Sequence, residues 1–201
     1  FSPEDRVTGP EEKEDDISFR ELLRFFGSAI RLKFFVTPLL ILGSITMFFL
    51  SLKNSPALII PLDTRLMELG ALVKSMTVNG EYWRLLTYQF LHADIEHLAT
   101  NVLGLFPIGF LLERIIGSFR IAIAYLVSGI AAGACSILFD DLGVTVGASG
   151  SILGLYGLYV VLLTARIMDR KTRLIILVGL AGYLVLTLIT SVRDGIDLAA
   201  H

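Results

Sequence analysis

Apolar residues fall along this chain in long runs. Five of them, about 34–52, 96–112, 119–139, 149–167 and 172–191, reach or approach the roughly 20 residues that a membrane-crossing helix needs. Residues 195–201 read as the first turns of a sixth, which is expected to continue beyond His201. Ahead of the first run, residues 17–33 set Phe19, Leu22, Leu23, Phe26 and Ile30 at helical spacing, with Arg20, Arg24, Arg31 and Lys33 between them. That pattern predicts an interfacial amphipathic helix leading into the bilayer, with a solvated linker as the alternative. Residues 1–16, FSPEDRVTGPEEKEDD, are acidic and polar and predict a disordered cytoplasmic tail. Residues 34–201 then form one domain. The connection at 53–95 mixes apolar residues with Pro56, Pro61, Gly70 and Gly80, and loops that long are uncommon without a role.

Composition strengthens this picture. The chain of 201 residues is 54% hydrophobic and carries a net charge of only -2. Its mean hydropathy is +0.73, well above that of ordinary soluble domains. So weak a field gives no reason to expect nucleic acid as a partner. Cys135 is the only cysteine, which rules out an intramolecular disulfide, and its apolar surroundings read as packing. No residue cluster has metal-ligand spacing and no phosphate-binding loop is present, so neither a metal nor a cofactor is expected.

Lysines and arginines flanking the runs set the orientation. Arg20, Arg24, Arg31 and Lys33 precede the first run, Arg114 and Arg120 follow the second, and Arg166, Arg170, Lys171 and Arg173 separate the fourth from the fifth. These segments are expected in the cytoplasm, with the N-terminus inside and the 53–95 loop outside. The short chain points to a bacterial plasma membrane.

The starts of runs two, four and six then share the outer side, and each carries polar groups. His97 and Asn101 are four residues apart, on one face of a helix. Run four opens on Gly147, Ala148, Ser149, Gly150 and Ser151, and run six on Asp197 and His201. A charged or strongly polar group at a helix centre costs on the order of 2.5–3.5 kcal/mol on insertion scales, so three such sets at one depth suggest a shared wet cavity. The chemistry open to it is narrow. A serine hydroxyl becomes a nucleophile when an imidazole takes its proton. Gly147 and Gly150 permit a tight turn and a close substrate backbone. The Ser149 N–H, placed in the first turn of a helix, joins His97 and Asn101 as a possible oxyanion donor. Each feature also has a plainer reading. Small residues such as these are common where helices cross, a membrane histidine often packs or relays protons, and a His–Asn pair can bond across helices.

Taken together the motifs resemble the rhomboid family of intramembrane serine proteases, over about residues 65–201. The stretch GEYWRLLTYQFLHADIEHLATNVLGL holds the family's E-x-W-R element at Glu81, Trp83 and Arg84, and its histidine–asparagine set at His92, His97 and Asn101. GASG matches G-x-S-G around Ser149, DLAAH ends at His201, and Glu113–Arg114 match the E-R pair closing the second span. The resemblance implies an all-α polytopic membrane protein with a six-helix transmembrane bundle. It implies a Ser149–His201 dyad, with an oxyanion site of His97, Asn101 and the Ser149 N–H. It makes His92, Trp83 and Arg84 structural, shaping the outer loop. Asp197, four residues before His201, reads as a helix cap. Many bacterial members carry a tyrosine four residues after the serine, stacked on the base; here Leu153 stands there, with Tyr156 one turn on. The implied partners are the lipid bilayer and transmembrane protein substrates. A pseudoenzyme that binds membrane clients without cutting them is the alternative, and a small transporter is a weaker one.

Overall fold

A computed structural model describes residues 34–52, 62–139, 143–164, 174, 177–185 and 187. Its helices are α1 (Val36–Leu52), α2 (Leu62–Leu69), α3 (Lys74–Val78), α4 (Arg84–Thr87), α5 (Ile95–Ile116), α6 (Ser118–Phe139) and α7 (Ser149–Thr164). A 3-10 turn at Tyr88–Phe90 follows α4, and residues 177–185 are helical. The one strand-like feature among the described residues is an antiparallel bridge between Leu72 and Thr145. The tail, the interfacial helix, the Asp140–Asp141 turn, Asp197 and His201 lie outside the described residues.

Two helices, α5 and α6, are 22 residues each and apolar enough to cross a membrane, while α1 and the Ser149–Leu162 part of α7 are apolar but shorter. Between α5, α6 and α7 lies a core in which Ile108, Leu112, Ile121, Tyr125, Ile152, Leu155 and Tyr159 are almost fully buried. The outward faces are equally apolar: Leu39, Leu42, Phe49, Leu103, Phe119, Val127, Leu138, Phe139 and Val161 are exposed. In water that much contiguous apolar surface is a liability; against lipid tails it costs nothing. Cys135 belongs to this exposed outer surface of α6, contrary to the expectation that it packs inside. An apolar run alone does not separate a lipid-facing position from a helix-facing one.

Within the segment expected as a loop at 53–95, the described residues 62–95 contain α2, α3, α4 and the 3-10 turn. These helices are too short to stand alone, since nucleation costs more than a turn or two of hydrogen bonds return. Arg84 holds them. Its guanidinium pairs with Glu81 at 2.7 Å and donates to the carbonyls of Met67 at 2.7 Å and Ala71 at 2.9 Å. The Trp83 ring lies 4.7 Å from the guanidinium carbon, adding a cation–π contact.

At the opposite end of α5, Glu113 joins three helices. Its carboxylate accepts the backbone N–H of Val36 at 2.8 Å and of Thr37 at 2.9 Å, and the Ser118 hydroxyl at 2.6 Å. The first turn of any helix presents N–H groups that have no carbonyl within the helix. In α1 they are fully accounted for: Glu113 takes those of Val36 and Thr37, Pro38 has none, and Leu39 donates to Phe35 O at 3.1 Å. Glu113 is therefore the cap of α1, supplied from α5, and it fixes the start of α6 through Ser118.

Glu113→Ala strands two backbone donors and a hydroxyl in a buried site, and should lower stability by about 2–4 kcal/mol. Glu113→Gln, which keeps one acceptor oxygen, should lose less. Equilibrium unfolding in mixed detergent micelles measures both, and an alanine variant as stable as the parent would contradict the capping role.

Candidate active site

Local sequence places His97 and Asn101 at the start of α5. Asp94, in extended backbone, caps the helix by accepting the His97 N–H at 2.8 Å. Helix capping by aspartate is favourable because its carboxylate meets both a free donor and the positive end of the helix dipole. His97 thus sits in the first turn, half-buried, and Asn101 one turn further, 3% exposed. The Asn101 side-chain amide donates to the His97 carbonyl at 2.9 Å.

The serine arrives from the other side. The Ala148 carbonyl accepts the Ile152 N–H at 3.0 Å, so α7 starts at Ser149 and the Ser149 N–H lies among the first-turn donors. Ser149 is 8% exposed. Gly147 has φ +125, where side chains other than hydrogen are strained, and a Cβ there would lie 2.7 Å from His97 Nε2. The imidazole therefore rests directly on the turn that delivers Ser149. Gly150 is half-buried and continues the helix without a positive φ, so of the two glycines it is Gly147 that makes the left-handed turn.

Neighbouring elements hold that turn. Gly147 N–H donates to Tyr88 O at 3.0 Å, and Leu72 and Thr145 exchange two backbone bonds of 2.9 Å. The Tyr88 hydroxyl donates to Gly129 O of α6 at 2.6 Å. Beneath, Ser151 donates to Gln89 Oε1 at 2.9 Å, and Gln89 Nε2 donates to Leu85 O at 2.7 Å. Gln89 is wholly buried and was not singled out from sequence; within the predicted 53–95 loop a lone glutamine carries no marker of burial.

His92 stands against His97, ring centroids 5.1 Å apart and nearly perpendicular. It is 1% exposed, and neither ring nitrogen is within hydrogen-bonding geometry of a partner. Burial, reinforced by the neighbouring His97, pushes its pKa from 6.5 down to about 3; the Phe90 backbone opposes this weakly. Tyr156, the candidate to stand in for the aromatic missing at Leu153, turns toward α5. It donates to Gly104 O at 3.3 Å and stacks on Tyr183, centroids 5.6 Å apart.

The structure thus brings His92, His97, Asn101, Gly147 and Ser149 to one end of the α5–α7 pair, with Trp83 and Arg84 organising the loop beside it. No group of three or more His, Cys, Asp or Glu among the described residues is arranged to hold a metal ion. A helical membrane protein with a buried serine, imidazole and amide at the ends of two adjacent helices is the class that fold and site define.

The family model for the Rhomboid domain matches residues 79–201, more than half of the chain. This chain belongs to the rhomboid family. It is 30% identical over 216 residues to rhomboid protease AarA of Providencia stuartii, covering 94% of this chain and 74% of that protein. It is 39% identical over 117 residues to rhomboid protease GluP of Bacillus subtilis (strain 168), covering 56% of this chain and 23% of that one. It is 42% identical over 110 residues to RHOMBOID-like protein 1 of Arabidopsis thaliana, covering 54% and 28% respectively. The chain thus spans well under two thirds of the length of several of these relatives, although it spans most of AarA.

The lowered pKa of His92 makes stability acid-sensitive. The native state holds His92 neutral while the unfolded chain protonates it below its ordinary value of 6.5, so stability present above pH 6.5 is lost as pH falls toward about 3. The loss from this one group approaches about 1.4 kcal/mol per pH unit within that window. His92→Asn should flatten the pH dependence of unfolding there; an unchanged slope would remove His92 as its source.

Proposed function

We propose that this chain is an intramembrane serine endopeptidase that cleaves transmembrane protein substrates near the outer membrane face. One observation carries the reading: the Gly147 turn sets the His97 imidazole against the start of the helix that opens with Ser149. Family membership and the relatives named as proteases support it.

In this mechanism Ser149 Oγ attacks the scissile carbonyl carbon while His201 takes its proton. The carbonyl oxygen becomes an oxyanion, stabilised by the Ser149 N–H, the His97 imidazole and the Asn101 amide. Collapse expels the amine, which takes the proton back from His201, and leaves an acyl-serine. Water, deprotonated by His201, then releases the acid. No metal or cofactor takes part. His92, Trp83, Arg84, Gly147 and Gly150 act by shaping the site. We further assign residues 34–201 to a six-helix bundle, with residues 1–16 and 17–33 as a cytoplasmic tail and an interfacial helix. The lysine and arginine bias supports a cytoplasmic N-terminus, and we place the protein in a bacterial plasma membrane.

Ser149→Ala should abolish both cleavage of a model transmembrane substrate and labelling by a fluorophosphonate probe, in the full-length protein in liposomes. Ser151 should not substitute, since its hydroxyl is held by Gln89. Neither labelling nor cleavage in the parent protein would favour a client-binding role, and cleavage surviving in Ser149→Ala would overturn the mechanism.

His97→Ala and Asn101→Ala should lower kcat, by up to about 100- to 1,000-fold for a single donor, and change KM little. Steady-state kinetics in liposomes separate the two, and a change confined to KM would remove the oxyanion assignment.

A further inference from the structure

A side-chain amide has two orientations that differ only in exchanging oxygen and nitrogen, and one of them turns its donor away. For Asn101 the choice is set partly within α5, where Nδ2 gives one hydrogen to the His97 carbonyl at 2.9 Å. That leaves the second Nδ2 hydrogen for a ligand. The other end of the amide is met from outside α5. The Tyr183 hydroxyl donates to Asn101 Oδ1 at 3.4 Å, a long bond in the resting site of a kind that tightens when a ligand loads the amide.

Tyr183 is built into that place. Its ring stacks on Tyr156 at an interplanar angle of 22°. Gly104, three residues beyond Asn101 on the same face of α5, leaves the space the ring occupies; a Cβ there would overlap the Tyr183 ring. The Tyr156 hydroxyl is bonded in turn to Gly104 O. Tyr183 is 5% exposed, so little water competes for Oδ1.

We propose that Tyr183 is a positioning residue for Asn101: its hydroxyl holds Oδ1 so that Nδ2 presents its free hydrogen to the developing oxyanion. The inference rests on the oxyanion role proposed above for Asn101. It gives the 177–185 helix, which carries none of the residues assigned to chemistry, a part in transition-state binding.

Tyr183→Phe removes the hydroxyl and keeps the stacked ring. It should lower kcat about 3- to 10-fold, the worth of one neutral hydrogen bond, with KM and the thermal midpoint in detergent nearly unchanged. A structural role would instead move the midpoint. In an Asn101→Ala background the same substitution should have no further effect on kcat. An equal loss in that background, or a change in KM alone, overturns the proposal. A second measurement does not depend on activity. In protein labelled with 15N at asparagine, the Asn101 side-chain amide signal should shift in Tyr183→Phe micelles and stay put in a control, Tyr82→Phe. No shift overturns the proposal even in an active enzyme. Asn101→Ala leaving kcat intact would sink the oxyanion reading, and the positioning role with it, whereas an inactive parent whose amide signal still responds would implicate the proposed function alone.

Discussion

Every backbone donor inside a bilayer needs a partner from the protein, because lipid offers none. Glu113 is where this chain meets that demand most economically. One carboxylate satisfies the two free N–H groups at the start of α1 and the Ser118 hydroxyl at the start of α6, while standing near the end of α5. It is wholly buried, and an ionised group there is tolerable because three donors and the α1 dipole replace the lost water. The relative placement of α1, α5 and α6 follows from that knot. The polar site lies at the far end of α5, where Asp94 closes the same helix with a second carboxylate cap. His97 and Asn101 therefore ride on a helix secured at both ends.

The site itself departs from the rule that buried polar groups are paired. Both His92 ring nitrogens are buried without a well-aligned partner, the Phe90 backbone being the nearest polar neighbour that acts on the ring. Around it the accounting is much tighter: Gly147, Tyr88, Leu72, Thr145, Gln89 and Ser151 all find partners. The edge of His92 against His97 limits how far the His97 ring can swing from the turn at Gly147.

Much of this was legible in the sequence. Long apolar runs locate α1, α5, α6 and α7 to within a few residues, because a membrane-crossing length is itself a strong pattern. GASG marks the start of α7. What sequence could not show depends on contacts between distant segments. The outer segment reads as a loop because α2, α3 and α4 are too short to carry helical periodicity; Arg84 creates their order by reaching back to Met67 and Ala71. Glu113 is visible as part of an E-R pair, but its targets at Val36 and Thr37 are 77 and 76 residues away. Tyr183 sits in an apolar run where nothing in the pattern distinguishes it. Asp197 and His201 lie outside the described residues, so the dyad remains a proposal drawn from sequence.

The replacement of a tyrosine by Leu153 has a structural sequel one turn along α7. Leu153 is half-buried and packs against the main core, so it offers a flat aliphatic wall rather than an aromatic face. Tyr156 has its hydroxyl on Gly104 O and its ring on Tyr183. The stacked pair presses on α5, beside the residue that carries the proposed amide donor. Aromatic mass in this part of the bundle thus packs against α5 near Asn101.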